Sequence, residues 1–375
     1  PNLLAWLDLV ALGTVADVVA LKGLNRVLVA QGLKVLAERR NPGLAALAAV
    51  ARIDKRLTAT HLGFYLGPRV NAGGRVGTPD LGVRLLSTDD ATEAAALAQR
   101  LNELNQERQQ IEALVLEQAI RQVEAAGAPE GLVIACDEGW HPGVIGIVAS
   151  RLKDRFNLPA LVIALDGAVG KGSGRSVPGL DLGRLVIQAR AAGLLLNGGG
   201  HPMAAGLTVA REALDALRTF LSERAAAELA QLAWQPALSL DAVLSCAGAT
   251  AELVQQTDRL APFGMGNPQP RFAFASLRVA DPGTVGENHL RCRLEGPDGR
   301  SIRAIAFRAL DGALGQGLLA ARGRAVHVAG RLELDTWRGG DAVQLLIEDA
   351  ALPYAPAART ISRRAFATCV RPPAR

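Results

Sequence analysis

The chain has 375 residues, too many for one small core and enough for two or three domains. It is 49% hydrophobic and 21% charged, which excludes disorder of the whole chain, and its wholly apolar stretches fall well short of the ~20 residues of a membrane-spanning helix. The net charge of +5 resides in 355–375, which has five arginines and no acid, so 1–354 carry 36 basic and 36 acidic side chains and the overall charge is no argument for nucleic acid.

The type of base is more telling: 36 arginines against five lysines. A planar guanidinium suits phosphate, although a GC-rich coding sequence produces the same bias. Cys136, Cys246, Cys292 and Cys369 lie far apart, which disfavours a zinc ribbon or disulfide framework and points to a reducing cytosol. The chain starts at Pro1 and shows no basic and apolar leader, so it reads as a segment that begins within a longer protein.

Residues 1–88 are predicted to be mostly helical. Leu3, Leu7, Val10 and Thr14 share one helical face, and that pattern ends near Asp17. A second helix is expected over 25–40, stopped by Asn41-Pro42-Gly43, and a short one over 44–52. The glycine-rich stretch 63–77 reads as a loop with helical edges. Ser87–Asp90 offer helix caps, and no glycine or proline follows until Gly127, which predicts one long helix linking two domains. Strands over 132–136 and 160–165 then alternate with helices over 144–156, 182–192 and 211–232, an α/β pattern. After Trp234-Gln235-Pro236 the pattern changes to period two. Leu290, Cys292 and Leu294 alternate with Arg291, Arg293 and Glu295; Val326–Leu334 and Val343–Ile347 follow the same rule. Such strands, separated by glycine-rich turns, predict a small barrel or sandwich. The stretch 353–375 is rich in Pro, Ala and Arg and reads as a disordered tail.

Several constellations suit phosphate chemistry. Asp17 lies in an apolar stretch, where a carboxylate needs a partner: a divalent cation, or Arg26 in an ordinary helix-end ion pair, with Asp8 as the competing acid. Gly67–Arg75 (GPRVNAGGR) joins glycines to Asn71, Arg69 and Arg75, either as an anion-binding loop or as a structural turn. Gly170–Ser176 (GKGSGRS) lacks the glycine spacing of a nucleotide P-loop, yet Ser173 and Arg175 in a glycine setting suit an oxyanion. Asn197–Pro202 (NGGGHP) is the sharpest local signal: Gly198–Gly200 permit close backbone approach, and His201 can donate to a phosphate or move a proton. His61, His141, His289 and His327 read as structural, with His141 at a helix start that could also face an anion.

Taken in order, Asp8–Asp17 (DLVALGTVAD), Gly67–Arg75, Trp140–Ala149 (WHPGVIGIVA), Ser173–Ser176, Gly198–Gly206 (GGGHPMAAG) and Pro262–Phe272 (PFGMGNPQPRF) resemble the RecJ family of bacterial single-strand-specific 5′→3′ DNA exonucleases, within the DHH phosphoesterase superfamily. The resemblance covers about 1–352. It implies an α/β plus β fold: the C-terminal part of a DHH domain (1–88), a connecting helix (89–127), a DHH-associated α/β domain (128–232) and an OB-fold barrel (236–352). It implies a two-metal Mn²⁺ or Mg²⁺ site with Asp17 as the last of its acids. Asn71 and Arg75 would border the cleft. Ser173 and Arg175 would bind DNA phosphate at the 5′ end, and Gly199, Gly200 and His201 a phosphate near the metals, with His201 in a catalytic role.

The Asp-His-His motif and the other upstream acids of the family occur nowhere in these residues. The expectation is therefore that this chain alone does not hydrolyse DNA, that its parent releases 5′-mononucleotides in repair and recombination, and that 1–88 exposes an apolar face. Arg291, Arg293, Arg303 and Arg331 are expected to contact the backbone of single-stranded DNA, with salt-sensitive and sequence-neutral affinity. Trp337 and Phe274 are either stacking platforms or core. The family reading adds single-strand-binding protein and a RecQ-type helicase as partners, a cytoplasmic monomer, and no membrane. The rival readings are a phosphodiesterase of the superfamily acting on short oligonucleotides or cyclic dinucleotides, and a non-catalytic single-strand binder.

Overall fold

The computed structural model describes residues 2–127, 129–232, 237–335 and 342–353. The chain divides into two units, Pro1–Val18 with Gln31–Pro236, and Val19–Ala30 with Ala237–Arg375. Among the described residues no helix is long and apolar enough to cross a membrane.

The first unit begins with helices. A 3-10 turn (Leu3–Trp6) leads into α1 (Leu7–Ala16), which Asp17 caps at its C-terminus. Then come α2 (Gly23–Ala37), whose first half belongs with the second unit, and α3 (Pro42–Val50). The Asn41 side chain accepts from the Leu44 N–H, and Pro42 sits in the first turn of α3, where its missing N–H costs nothing. A capping box of Thr58 and His61 starts α4 (Ala59–His61), and a π-helical turn (Leu62–Leu66) runs straight into α5 (Gly67–Val76). The expected glycine-rich loop over 63–77 is thus helix. Two of its glycines are contact surfaces: a methyl at Gly67 would lie 3.0 Å from the Ala16 Cβ, and one at Gly73 would lie 3.2 Å from Leu101 Cδ2. Close packing outweighs the weak helix propensity of glycine. Leu3, Leu4 and Trp6, and Phe64 and Tyr65 on the π-turn that packs beside α1, stay exposed.

After α6 (Asp80–Ser87), the long helix α7 (Ala91–Ala125) forms over 35 residues, about 50 Å. The Asp90 carboxylate accepts from the Thr92 and Glu93 N–H groups at its start. Its first half packs on α3, α5 and α6; Val115, Ala119 and Val123 in its second half join the core under the sheet that follows.

That sheet alternates with helices as predicted: β1 (Val133–Glu138), α8 (Pro142–Phe156), β2 (Ala160–Asp166), β3 (Val169–Arg175), α9 (Leu182–Ala191), β4 (Asn197–His201), β5 (Ala204–Ala210) and α10 (Leu214–Leu232). The strand order is β1-β2-β3-β5-β4, with β1 and β2 parallel and the rest antiparallel. Core residues of α7 and α8 cover one face, and those of α9 and α10 the other. The glycine runs 170–174 and 198–200, read from sequence as ligand-approach segments, are strands. On β3 the glycines recur with period two. A methyl at Gly170, Gly172 or Gly174 would lie 2.6–2.7 Å from Ile163 of β2, Leu207 of β5 or Leu182 of α9, so the three make room for the side chains packed on the α9 face of the sheet.

The second unit holds β6 (Ala242–Leu244), α11 (Ala251–Asp258), β7 (Phe272–Val285), β8 (His289–Glu295), β9 (Ser301–Ala306), α12 (Ala313–Ala320), β10 (Ala325–Leu334) and β11 (Val343–Ala351). The order β10-β11-β9-β8-β7, closed by β10–β7 pairing, makes a five-stranded barrel, with β6 added outside β7. This meander, with a helix before β10 and a parallel β9–β11 pair, is a barrel as the alternation allowed and the OB-fold that the resemblance implied. Leu290, Cys292 and Leu294 point inward, and Phe274 is fully buried among them, so Phe274 is core and not a stacking platform. Trp337 and the tail lie outside the described residues. Burial pushes the Cys292 thiol up to about 12, which leaves it without thiolate reactivity. The stretch 262–267 of the PFGMGNPQPRF motif receives the short segment 20–22 that precedes α2. The Leu21 N–H donates to the Met265 carbonyl at 2.7 Å, and a methyl at Gly264 would lie 2.8 Å from the Leu21 side chain.

Candidate phosphate-binding site

Three of the sequence-predicted segments meet on one face of the sheet of the first unit. On β3, Ser173 and Arg175 point away from the face that the glycines open to α9. On β4 the methyl-intolerant Gly198 and Gly200 also face α9, so Gly199 and His201 share the Ser173 and Arg175 side. The register then lines these residues up. Ser173 pairs with Gly206 and Gly206 with Gly199; Arg175 pairs with Ala204 and Ala204 with His201. Arg175 and His201 therefore flank a shelf roughly 10 Å wide, two strand spacings. Its floor is Ala204, Gly206 and Gly199, and a methyl at Gly199 would meet nothing within 4 Å.

Helix α8 forms the wall beside β3. A methyl at Gly146 would lie 3.0 Å from both Arg175 Nη2 and Ser173 Oγ, so this glycine leaves room for the two polar groups. Arg175 Nη1 donates to Ser173 Oγ at 3.2 Å and to the Gly174 carbonyl at 2.8 Å. At the start of α8, His141 Nδ1 accepts from the Gly143 N–H, so His141 is a helix cap. Arg75 of α5 reaches the same helix. Its Nη1 donates to the Gly143 carbonyl at 3.0 Å, while its own backbone carbonyl would lie 2.3 Å from a methyl at Gly143. Asn71 lies one helical turn before Arg75, exposed, on the same face.

The electrostatics are lopsided. Burial, then the guanidinium groups of Arg108 and Arg175, hold Arg75 below the ordinary arginine value, and only Glu112 opposes them. Burial also lowers Arg175. All remain charged, since guanidinium is too basic to lose its proton. Sequence reasoning missed Arg108. It is buried on α7 with Nη1 on Glu112 at 2.6 Å and Nη2 on Asn105 Oδ1 at 3.1 Å, and its Nε has no hydrogen-bond partner. Its signal was an Asn-x-x-Arg-x-x-x-Glu spacing, which places Asn105, Arg108 and Glu112 on one helical face. Arg75, with the guanidinium groups of Arg108 and Arg175 near it and Glu112 opposing them, lies beside a small-residue shelf, an arrangement whose chemistry suits an anion rich in oxygen.

The acid of the first helix is not where the sequence suggested. Asp17 is exposed, and Arg26 donates to the Leu260 carbonyl, so neither burial nor that ion pair constrains it. Asp8 is the buried one, and its carboxylate accepts from the Leu9 N–H. Burial raises its pKa, more than that hydrogen bond lowers it. The folded state thus holds the proton to higher pH than the unfolded one, and stability falls as pH rises through the window just above the usual aspartate value. Asp8→Asn is expected to melt higher than wild type at neutral pH and to lose that slope, as read by melting temperature from about pH 4 to 7. Among the described residues no three His, Cys, Asp or Glu side chains come together as a metal site, so Asp17 stands without companions.

On the barrel, all four predicted arginines face outward, but three are engaged by acids. Arg293 meets Asp281 and Glu295 at 3.0 Å, Arg303 meets Asp335 at 3.1 Å, and Arg331 pairs with Glu348. Arg291 has no acidic partner among the described residues. His61, His289 and His327 each accept a backbone N–H at Nδ1, from Thr58, Arg308 and Ser276, as structural histidines do.

Residues 129–227 match the DHHA1 domain family, and residues 240–349 match the RecJ OB domain family. The glycine-stranded α/β sheet followed by a closed barrel is therefore a DHHA1 domain joined to a RecJ-type OB-fold. Along more than nine-tenths of its length the chain is similar to RecJ proteins. It is 38% identical over 364 residues to the single-stranded-DNA-specific exonuclease RecJ of Escherichia coli, covering 93% of this chain and 61% of that protein. It is 34% identical over 351 residues to RecJ of Bacillus subtilis, covering 92% and 44%. Crystal structures of Thermus thermophilus RecJ in complex with Mn²⁺ and with Mg²⁺ superpose with TM-scores of 0.76, at 33% and 32% identity, covering 95% of this chain and 51% and 53% of theirs. The chain spans about half the length of the relatives it matches.

Proposed function

We propose that this chain is the phosphate- and strand-binding part of a metal-dependent exonuclease that degrades single-stranded DNA 5′→3′ to 5′-mononucleotides. The observation that carries the reading is the shelf, where Arg175, Ser173, Gly199 and His201 are aligned across three strands with Arg75 beside them. Ser173 Oγ and the Arg175 guanidinium hold the terminal 5′ phosphate. His201 donates to an oxygen of a neighbouring phosphate, and the open backbone at Gly199 lets the strand come close, while Gly200 is packed on the α9 side. Arg75, with Asn71 one turn away, carries the positive field to the rim. The OB-fold holds the strand through its backbone, with Arg291 a contact that no acid among the described residues neutralises.

In this reading 2–88 are the C-terminal part of a DHH domain, and Mn²⁺ or Mg²⁺ is the metal of the whole enzyme. The described residues do not build that metal site by themselves, because Asp17 offers one exposed carboxylate. The same reading keeps the whole enzyme a cytoplasmic monomer that works with single-strand-binding protein and a RecQ-type helicase.

The test is a salt titration of binding by fluorescence anisotropy, using single-stranded oligonucleotides with a 5′ phosphate or a 5′ hydroxyl, and duplex of the same length. The expected result is a preference for single strands, tighter with the 5′ phosphate, and a log affinity that falls linearly with log salt. Equal binding of duplex and no effect of the 5′ phosphate would overturn the reading.

A further inference from the structure

We infer that Phe307, posed by His289, is a stacking platform for an unpaired nucleobase, with Arg291 and Arg308 as the phosphate contacts that flank it. The inference rests on the strand-binding reading above and names the place on the barrel where a base is held.

Along β8 and β9 the pairs Arg293–Arg303 and Arg291–Ile305 point outward, between the inward pairs Cys292–Ala304 and Leu290–Ala306. The next outward pair in this register is His289 and Phe307. The two rings touch, with centroids 5.2 Å apart and planes at 79°. An edge-on contact of that kind orients both rings and leaves each at least one free face. The backbone fixes the pose. Arg308 takes the left-handed conformation, φ +50°, rare for a residue with a side chain, and its N–H donates to His289 Nδ1 at 2.9 Å. Phe307 is held in this arrangement 58% exposed, although the barrel beneath it is closed and filled.

Charge points to the occupant. Arg291 lies one pleat period from this pair, about 6.7 Å along the strand, and Arg308 follows Phe307 directly. Neither has an acidic partner among the described residues, whereas Arg293, Arg303 and Arg331 do. Asp311, three residues beyond Arg308, accepts from the Asn288 amide. An exposed ring between two uncompensated guanidinium groups suits a flat aromatic group that carries phosphate on both sides, as in a single strand. Stacking of that kind accepts any base, which suits an enzyme that reads no sequence.

The test uses the full chain and anisotropy with two probes of equal length, an oligo-dT and an oligomer of abasic sites. Phe307→Leu keeps an apolar side chain and removes the ring; Phe307→Trp keeps a ring. Phe307→Leu is expected to weaken dT binding about tenfold and abasic binding by less than about twofold, while Phe307→Trp binds dT like wild type. Melting temperatures of both variants should match wild type, because the ring packs on the surface. Unchanged dT affinity in Phe307→Leu, or equal losses on both probes, overturns the platform while the strand-binding reading stands. Failure of wild type to bind either probe overturns both.

Discussion

Arg175→Ala is expected to weaken binding of 5′-phosphorylated single-stranded DNA by about ten- to a hundredfold, the equivalent of roughly 1.5–3 kcal/mol for hydrogen bonds to a charged group. Binding of the 5′-hydroxyl strand should fall much less, so the preference for phosphate collapses. The reason is local. Arg175 is half-buried, aimed along the sheet face, and braced at 2.8 Å by the Gly174 carbonyl, so its guanidinium is already oriented before the ligand arrives. Arg175→Lys should recover only part of the loss, since an ammonium supplies the charge without the fork. Anisotropy with the two strands reads both effects. An unchanged phosphate preference in Arg175→Ala would remove this residue from the site.

The second large effect concerns stability. Arg108→Met is expected to cost the first unit about 3 kcal/mol, the lower end of the range for breaking a buried ion pair. The Arg108 and Glu112 side chains are only 9% and 12% exposed, so truncating the cation leaves a carboxylate in a poorly solvated place. The cost stays at the low end because Arg151 reaches Glu112 at 3.5 Å and retains some compensation. Arg108→Met with Glu112→Leu should be more stable than the single variant, because an apolar pair of similar volume carries no desolvation cost. Urea denaturation of wild type and both variants measures this. A single variant as stable as wild type would show that the pair contributes nothing. The double variant also tests the shelf, since it removes one cation and the one opposing carboxylate near Arg75.

The first segment and the barrel were legible to different degrees. Helix α7 was plain, because no glycine or proline interrupts it and Asp90 caps it; both are local facts of chain geometry. The barrel strands were equally plain, since inward Leu290, Cys292 and Leu294 alternate with outward arginines. The chemistry of the site was legible as residue types: Ser173, Arg175, Gly199, His201 and Arg75 were all singled out and all meet or border one shelf.

The sequence by itself thus determined helix α7, the barrel strands and which side chains of phosphate-binding type are available. Tertiary structure alone decided three other things. It made strands of the glycine runs 170–174 and 198–200, because glycine's low intrinsic preference yields where neighbouring strands and helix α9 fill the space of a missing side chain. It exchanged Asp8 and Asp17, burying the first and exposing the second, because burial depends on what packs against a helix and not on the hydropathy of the helix itself. It brought Arg331 to Glu348 and Arg303 to Asp335 while sparing Arg291, because strand pairing joins residues that lie far apart along the chain. Residue type and local periodicity are encoded in the chain one neighbour at a time; partners, burial and alignment across strands exist only once the elements have packed.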